Sequence, residues 1–284
     1  QSSGGGGSRI PAVPTPSTGA VMPPVAPTSG VSERKQARRE NWRLIRKRPA
    51  FIVGCLIVLV WVACAILGNR ITPHHPLDYR GPINQSPSWD YLFGTDKTGR
   101  DVLSRVMAGA RDVLKIAPLA AIAGVVFGVI LGMFMGYLGG VLDLVASRIV
   151  ESFLALPPVL IALLAITTLG TSSWVVIGVV ATLFTPIVAR TVRSAVLAER
   201  DLDYVTSAKL RGEGKMFIMF REILPNVTGP IIVELTVRIG YAVFTVATLS
   251  FLGAGPPPPS PDWGSQVSDN YNSIVAGFWW TTFF

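Results

Sequence analysis

The sequence has few charged residues for its length. Asp, Glu, Lys and Arg make up 15% of its 284 residues, whereas 50% are hydrophobic and the mean hydropathy is +0.48. A soluble domain of this size could not keep so much apolar surface away from water, so we expect an integral membrane protein in contact with the lipid bilayer. The net charge of +8 does not indicate nucleic acid as a partner, because Lys and Arg cluster beside apolar runs and no stacking aromatic residues follow a groove.

Cysteine and histidine are also scarce. Cys55 and Cys64 lie in one apolar run, and their spacing corresponds to about 13 Å of helical rise and opposite helix faces. They cannot pair with each other, so we expect two buried small hydrophobic residues. His74 and His75 are adjacent and stand outside the apolar runs, which favours a solvated loop pair over a metal site and disfavours an enzyme with a histidine site inside the membrane.

A nucleotide-binding P-loop is missing. Gly212-Glu213-Gly214-Lys215 is followed by Met216 instead of Ser or Thr, and the first glycine of the motif would fall on Lys209. The chain is therefore not expected to bind ATP by this device. We predict no catalytic residues and no cofactor bound by this chain.

Composition divides the chain into four parts. Residues 1–32 are rich in Gly, Pro, Ser and Thr and are predicted to be a disordered tail or linker. Residues 33–69 combine a basic segment with the first apolar run, and the eight Lys and Arg residues that precede this run place the N-terminus in the cytoplasm. Residues 70–110 should form an extracytoplasmic loop subdomain, and residues 111–284 a membrane-embedded core.

The apolar runs predict five membrane spans. They cover residues 50–69, 116–142, 152–189 and 223–252, and the third run is long enough for a hairpin of two spans that turns at residues 170–173. Pro157-Pro158 and Pro186 should kink the helices of this hairpin. In the second run, glycine recurs every fourth residue, which lets helices approach closely in lipid; these residues are Gly124, Gly128, Gly132 and Gly136. The fold is therefore predicted to be an all-α polytopic membrane protein.

Alternating charges precede the second span. Asp96, Arg100, Asp101 and Arg105 alternate in sign at helical spacing, which predicts an ion-paired amphipathic helix leading to the membrane.

A polar stretch, residues 199–225, interrupts the apolar core. Asp203 can cap a short helix over residues 204–211, with Lys209 and Arg211 in its last turn. Gly212 is placed to leave that helix in a left-handed conformation, and a second helical piece follows. The stretch is predicted to be helix, glycine turn and helix.

This stretch resembles the cytoplasmic coupling loop of ATP-binding-cassette (ABC) importer permeases. The family pattern is Glu-Ala-Ala, three residues, Gly, and later Leu-Pro; the matching positions are Thr206, Ser207, Ala208, Gly212, Leu224 and Pro225. Thr206 replaces the family's acidic residue, and Ser207 replaces its first alanine. Residues 92–111 and 248–264 resemble signatures of the dipeptide, oligopeptide and nickel branch, in particular its second, C-type permease subunit.

The resemblance implies a type I ABC importer transmembrane-domain fold with six spans, of which five are visible here. It implies a multi-pass subunit of the bacterial cytoplasmic membrane that pairs with a related second permease. Two ATPase subunits, which carry ATP and Mg²⁺, would contact the coupling loop, and an extracytoplasmic solute-binding protein would deliver peptide. The same architecture serves nickel chelates and other small solutes, so these remain alternatives.

Two charged residues lie within the last predicted span. Glu234 and Arg238 are four residues apart and share one helix face, which should point into the protein because charge is costly in lipid. They either form an ion pair that holds the helix to a neighbour, or line a pathway and contact the two charged ends of a peptide. An ion-coupled transporter or channel would need more such residues, and only Glu151 joins these two.

Overall fold

The part of the chain that the computed structural model describes, which is residues 48–79, 81–257 and 259–284, is mainly helical. The predicted tail, residues 1–32, and the basic residues 33–47 lie outside the described residues. The all-α prediction is confirmed. The longer helices are α1 (Pro49–Leu67), α2 (Val102–Leu138), α3 (Gly140–Ala155), α4 (Pro158–Leu169), α5 (Ser173–Glu199), α6 (Asp203–Leu210), α7 (Thr228–Leu249) and α8 (Trp263–Asn270).

Four helices of the described chain are long and apolar enough to cross a membrane. They are α1, α2, α5 and the continuous stretch Thr228–Ala254, which consists of α7 and one π-helical turn. The bent pair of α3 and α4 gives a fifth span if it is counted as one. Helices α2 to α8 belong to one compact unit, Leu56–Phe284.

The first half of the predicted hairpin, before residue 170, is not one kinked helix. Helix α3 begins at Gly140, and the chain bends by 90° between α3 and α4. Leu156 and Pro157 are both extended, with ψ of 143° and 118°. Each precedes a proline, whose ring disfavours helical geometry in the residue before it. By contrast, α5 continues through Pro186.

The glycine stripe of α2 packs directly on α5. A Cβ atom added at Gly128 would lie 2.5 Å from Cβ of Val188, and one added at Gly136 would lie 2.7 Å from Cβ of Val196. The two backbones are close only because these positions lack side chains, as the four-residue spacing predicted. The pair of α2 and α5 forms the centre of the fold.

The spans differ in the fraction of their residues that is buried. In the most apolar stretch of α5, 61% of the residues are buried, compared with 11% for the span that contains α7 and 6% for α1. Cys64 of α1 is buried and Cys55 is exposed, and both thiols are free, so burial of both cysteines was a wrong prediction. The reason is that most of the surface of α1 is left uncovered by this chain.

The charges before α2 are paired, but not along a helix. Arg100 Nε donates to Asp96 Oδ2 at 2.7 Å, and both residues lie in a loop that ends where Asp101 caps α2. The amides of Thr98 and Arg100 donate to Asp96 Oδ1, and Gly99 has a φ of +78°. These local bonds compete with helical ones, so the predicted amphipathic helix is wrong, although its ion pairing is confirmed. Helix α2 runs without interruption through residues 110 and 111, where the sequence predicts the end of the outer subdomain.

Candidate functional site

The polar stretch 199–225 folds as a short helix, a glycine turn and a second helical segment. Helix α6 begins at Asp203, and its N-cap is Leu202, which makes no side-chain capping bond. Asp203 was predicted to be the cap but is itself helical. Its carboxylate still lies in the first turn, where the helix dipole favours negative charge.

Gly212 ends α6 as predicted. Its φ is +79°, its amide donates to the carbonyl of Lys209 at 3.0 Å, and the amide of Glu213 donates to the carbonyl of Ala208 at 3.2 Å. These two bonds define a Schellman motif, in which glycine is favoured because a side chain is strained there. A Cβ atom at Gly212 would meet no atom within 4 Å, so the constraint is the backbone conformation and not packing.

The second helical segment is wider than an α-helix in its middle. Lys215–Phe217 are α-helical, Ile218–Ile223 form a π-helical turn, and Leu224–Asn226 are α-helical again. Ile218, Met219 and Ile223 are buried, whereas the side chains of Met216, Phe217 and Phe220 are exposed. Because of the π turn, the residues that point inward do not follow α-helical spacing.

The predicted coupling residues divide into two groups. Ala208 is fully buried and belongs, with Val205, to an apolar cluster that includes Met133 of α2 and Val196 of α5. Its small size therefore serves packing within the chain. The remaining residues are exposed or half-buried and are Thr206, Ser207, Gly212, Leu224 and Pro225.

An exposed apolar side chain joins this outer group. Leu210, in the last turn of α6, is 84% exposed, and Met216 across the glycine turn is 56% exposed. The sequence analysis missed Leu210. Its signal was an apolar residue between Lys209 and Arg211 in a polar helix.

Polar contacts fix α6 to the ends of α2 and α5. Arg200 Nη1 donates to the carbonyl of Gly136 at 3.1 Å, and Lys209 Nζ donates to the carbonyl of Arg200 at 3.4 Å. The Tyr204 hydroxyl donates to Glu199 Oε2 at 2.7 Å. Burial, together with this bond to Glu199, raises the pKa of Tyr204 to about 12.

Glu234 and Arg238 meet as an ion pair on α7. Arg238 Nε lies 2.9 Å from Glu234 Oε2, and the two side chains are only 13% and 15% exposed. The Thr191 hydroxyl on α5 donates to the other carboxylate oxygen at 2.9 Å. The guanidinium lies over the rings of Phe184 and Tyr241, 5.7 and 5.3 Å from their centroids. The pair therefore joins α7 to α5.

The histidines are not a purely solvated pair. His75 is exposed, but the ring of His74 stacks on Tyr91 at 4.7 Å between centroids, and its Nδ1 lies 3.5 Å from Asp101 Oδ2. Within the described ranges, no group of three or more His, Cys, Asp or Glu residues could hold a metal ion.

Comparison with known proteins places these features in a family. The profile described as "Binding-protein-dependent transport system inner membrane component" matches residues 128–284. The dipeptide transport system permease protein DppC of Escherichia coli K12 is 38% identical over 256 residues, covering 86% of this chain and 84% of that protein. The protein of the same name from Bacillus subtilis 168 is 34% identical, with 87% and 77% covered. The glutathione transport system permease protein GsiD of Shigella flexneri serotype 5b is 37% identical, with 83% and 78% covered.

Proposed function

The chain belongs to the family of binding-protein-dependent transport system inner membrane components, and we propose that it moves dipeptides or oligopeptides into the cytoplasm as the permease subunit of an ABC importer. Similarity to dipeptide permeases over more than four fifths of the chain carries the proposal. The glutathione permease among the relatives favours a peptide over a nickel chelate.

We propose that the exposed face of α6 is the contact for an ATPase subunit, which holds ATP and Mg²⁺. The support is chemical: Leu210 and Met216 present apolar surface next to small polar residues, Thr206 and Ser207, on a segment outside the spans. Exposed apolar groups rimmed by polar ones are typical of protein contacts. Ala208 contributes indirectly, because its burial sets α6 against the core.

The coupling step follows from how α6 is held. Val205 and Ala208 pack into the same apolar cluster as residues of α2 and α5, and Arg200 and Lys209 add hydrogen bonds at the junction. A force applied to α6 by ATP-driven closure of the partners would therefore move α2 and α5 together. In this mechanism both nucleotide and substrate bias one equilibrium between outward-open and inward-open states.

We place the subunit in the bacterial cytoplasmic membrane, with its N-terminus and residues 199–225 on the cytoplasmic side. The loop residues 253–277 contain no Lys or Arg, whereas the stretch 190–221 contains seven, as expected for opposite sides of the membrane. We assign a second permease to the exposed apolar face of α7, which includes Ile232, Val233 and Phe244. A solute-binding protein would deliver peptide to the other end.

Reconstitution tests this function. The chain is co-expressed with its neighbouring permease, ATPase and binding-protein genes, purified by a tag on this chain, and placed in liposomes. We expect two ATPase subunits to copurify and labelled dipeptide to accumulate only with ATP and the binding protein. Uptake of a nickel chelate without competition by peptides would replace the peptide assignment. Uptake without ATPase subunits would contradict the importer.

A further inference from the structure

A polar crevice opens at the end of the helical bundle opposite α6. Its volume is about 310 Å³, within the size range of small-molecule sites, and it lies between the start of α2 and the proline-rich loop after α7. The residues that line it include Arg100, Arg105, Thr171, Ser250, Ser265 and Asp269. The start of α5 lies beside it, because Thr171 is two residues before Ser173, the first residue of that helix.

Arg105 is the residue that points to a ligand. Its side chain is 3% exposed, and its Nη1 has no hydrogen-bond partner among the residues that the structure describes. Its nearest ionic partner is Asp96 Oδ2, 3.9 Å from Nε. That oxygen is already held at 2.7 Å by Arg100, whose side chain is 9% exposed. One buried carboxylate is thus shared by two guanidinium groups.

The acidic groups around the crevice are engaged elsewhere. Asp269, the acidic residue that lines it, lies 4.0 Å from Lys97 Nζ. Asp112 and Asp262 lie nearby but are already hydrogen-bonded to the Ser260 hydroxyl and the Ser265 amide. A buried charge normally has a partner, and one further anion would supply it.

A second hydrogen-bond donor lines the same crevice. The Ser250 hydroxyl is buried beside the carboxyl of Asp262, its one candidate partner within the described ranges. A carboxylate has two oxygens and a single negative charge, which suits one guanidinium N–H and one hydroxyl better than a more highly charged anion would.

We propose that this crevice binds the C-terminal carboxylate of a peptide through Arg105, with Ser250 as a second donor. The identity of the ligand as a peptide rests on the proposed function; the need for a carboxylate rests on Arg105 itself. The crevice would hold the peptide at the extracytoplasmic end before it passes between the helices.

The first test needs no substitution. The permease and ATPase assembly is purified without the binding protein, whose own peptide site would mask the signal, and titrated calorimetrically with dialanine, dialanine amide and acetate. We expect dialanine to bind at least about tenfold more tightly than its amide, because the charged hydrogen bonds are lost, and acetate to compete with it. Equal affinities of acid and amide, or no binding of either, would overturn the proposal.

Substitutions then locate the site. Arg105→Gln should reduce dialanine affinity to the level of the amide and leave the amide unchanged. Arg148→Gln is the matched control: it removes the same charge from α3, where the side chain is 76% exposed, and should change neither affinity. If Arg105→Gln prevents assembly, Ser250→Ala takes its place with an expected loss of several-fold, and the comparison of acid and amide in the parent chain remains decisive.

The two hypotheses fail in different ways. If the chain imports a solute other than a peptide, acetate should still bind to the assembly and lose affinity in Arg105→Gln. If peptide import is correct but Arg105 has no ligand role, the variant should assemble, transport at the parent rate and bind dialanine as tightly as the parent chain does.

Discussion

Arg238 and Glu234 lie one turn apart on α7, and Thr191 of α5 hydrogen-bonds to the oxygen of Glu234 that Arg238 leaves free. Every charged atom of the carboxylate is therefore satisfied within the chain. This geometry supports a structural role for the pair, which holds α7 to α5. The proposal that the pair contacts the two ends of a peptide needs a test that leaves the pair intact.

Exchange of the two charges provides that test. In Glu234→Arg with Arg238→Glu, an ion pair can still form, but the bond from Thr191 to the native carboxylate is lost and the field presented to a ligand is inverted. We expect assembly and basal ATP hydrolysis to survive and peptide uptake to fall if the pair lines the pathway. Uptake at the parent rate would exclude the pathway role.

The single substitution Glu234→Gln is the companion experiment. It leaves Arg238 as a largely buried charge without a counter-ion, which should cost about 3–5 kcal/mol in the stability of the α5 and α7 contact. Thermal unfolding of the purified assembly should therefore shift further for this variant than for the charge exchange. A smaller shift for the single variant would contradict the structural role as well.

The end of α6 can be tested with two glycines that are close in sequence but differ in conformation. Gly212 has a φ of +79°, whereas Gly214 has a φ of −68°, and a Cβ atom would meet nothing within 4 Å at either position. Gly212→Ala should therefore cost about 1–2 kcal/mol from backbone strain, and Gly214→Ala should not. We expect substrate-stimulated ATP hydrolysis to fall only in the first variant. Gly212→Leu adds bulk at the proposed contact and should lower it further; unchanged coupling in both Gly212 variants would contradict the assignment.

The features that depend on periodicity could be predicted from the sequence. The four-residue glycine spacing in α2 predicted close packing, and the packing on Val188 and Val196 confirms it. Gly212 was equally readable, because a glycine after a last basic turn is a common helix ending. In each case one residue type has one strong physical reason to occupy its position.

Other features depend on contacts that no local pattern encodes. The sequence shows that residue 208 is a small alanine. Whether Ala208 faces a partner or the chain's own core depends on how α6 lies against α2 and α5. The Asp96 loop was read as helix, since side-chain bonds to the backbone amides of Thr98 and Arg100 have no periodicity. Burial disfavours the ionised Asp96 carboxyl, but the hydrogen bond from the Thr98 hydroxyl, the two amide bonds and the charge of Arg100 outweigh it and hold its pKa below the usual range. The unused donor of Arg105 can be recognised only from three-dimensional neighbours.

The glycine stripe makes its own prediction about stability. In Gly128→Ala the new methyl group would lie 2.5 Å from Cβ of Val188, closer than carbon atoms can approach, so α2 and α5 must separate. Overpacking of this kind costs about 1–3 kcal/mol. Gly178→Ala on α5 is the control, because a Cβ atom there meets nothing within 4 Å and alanine is the better helix former. Thermal unfolding in detergent should show a lower midpoint for Gly128→Ala and an unchanged or higher one for Gly178→Ala.

Substitution of Leu210 can test the contact with the ATPase subunit without disturbing the fold of the chain. Its side chain is 84% exposed, so Leu210→Asp should leave the stability of the isolated chain within about 0.5 kcal/mol of the parent. At a protein contact the same change buries an unpaired charge, which should reduce copurification of the ATPase subunits by about tenfold or more.

Leu164→Asp would not be a fair control, because α4 belongs to a candidate span where charge is costly in lipid. Asp201→Leu is better: it changes an exposed residue that lies two positions before α6, in the opposite chemical direction, and should leave binding largely intact. Quantitative immunoblotting of the tagged complex gives the readout, and normal ATPase recovery with Leu210→Asp would mean that the partner does not bind this face.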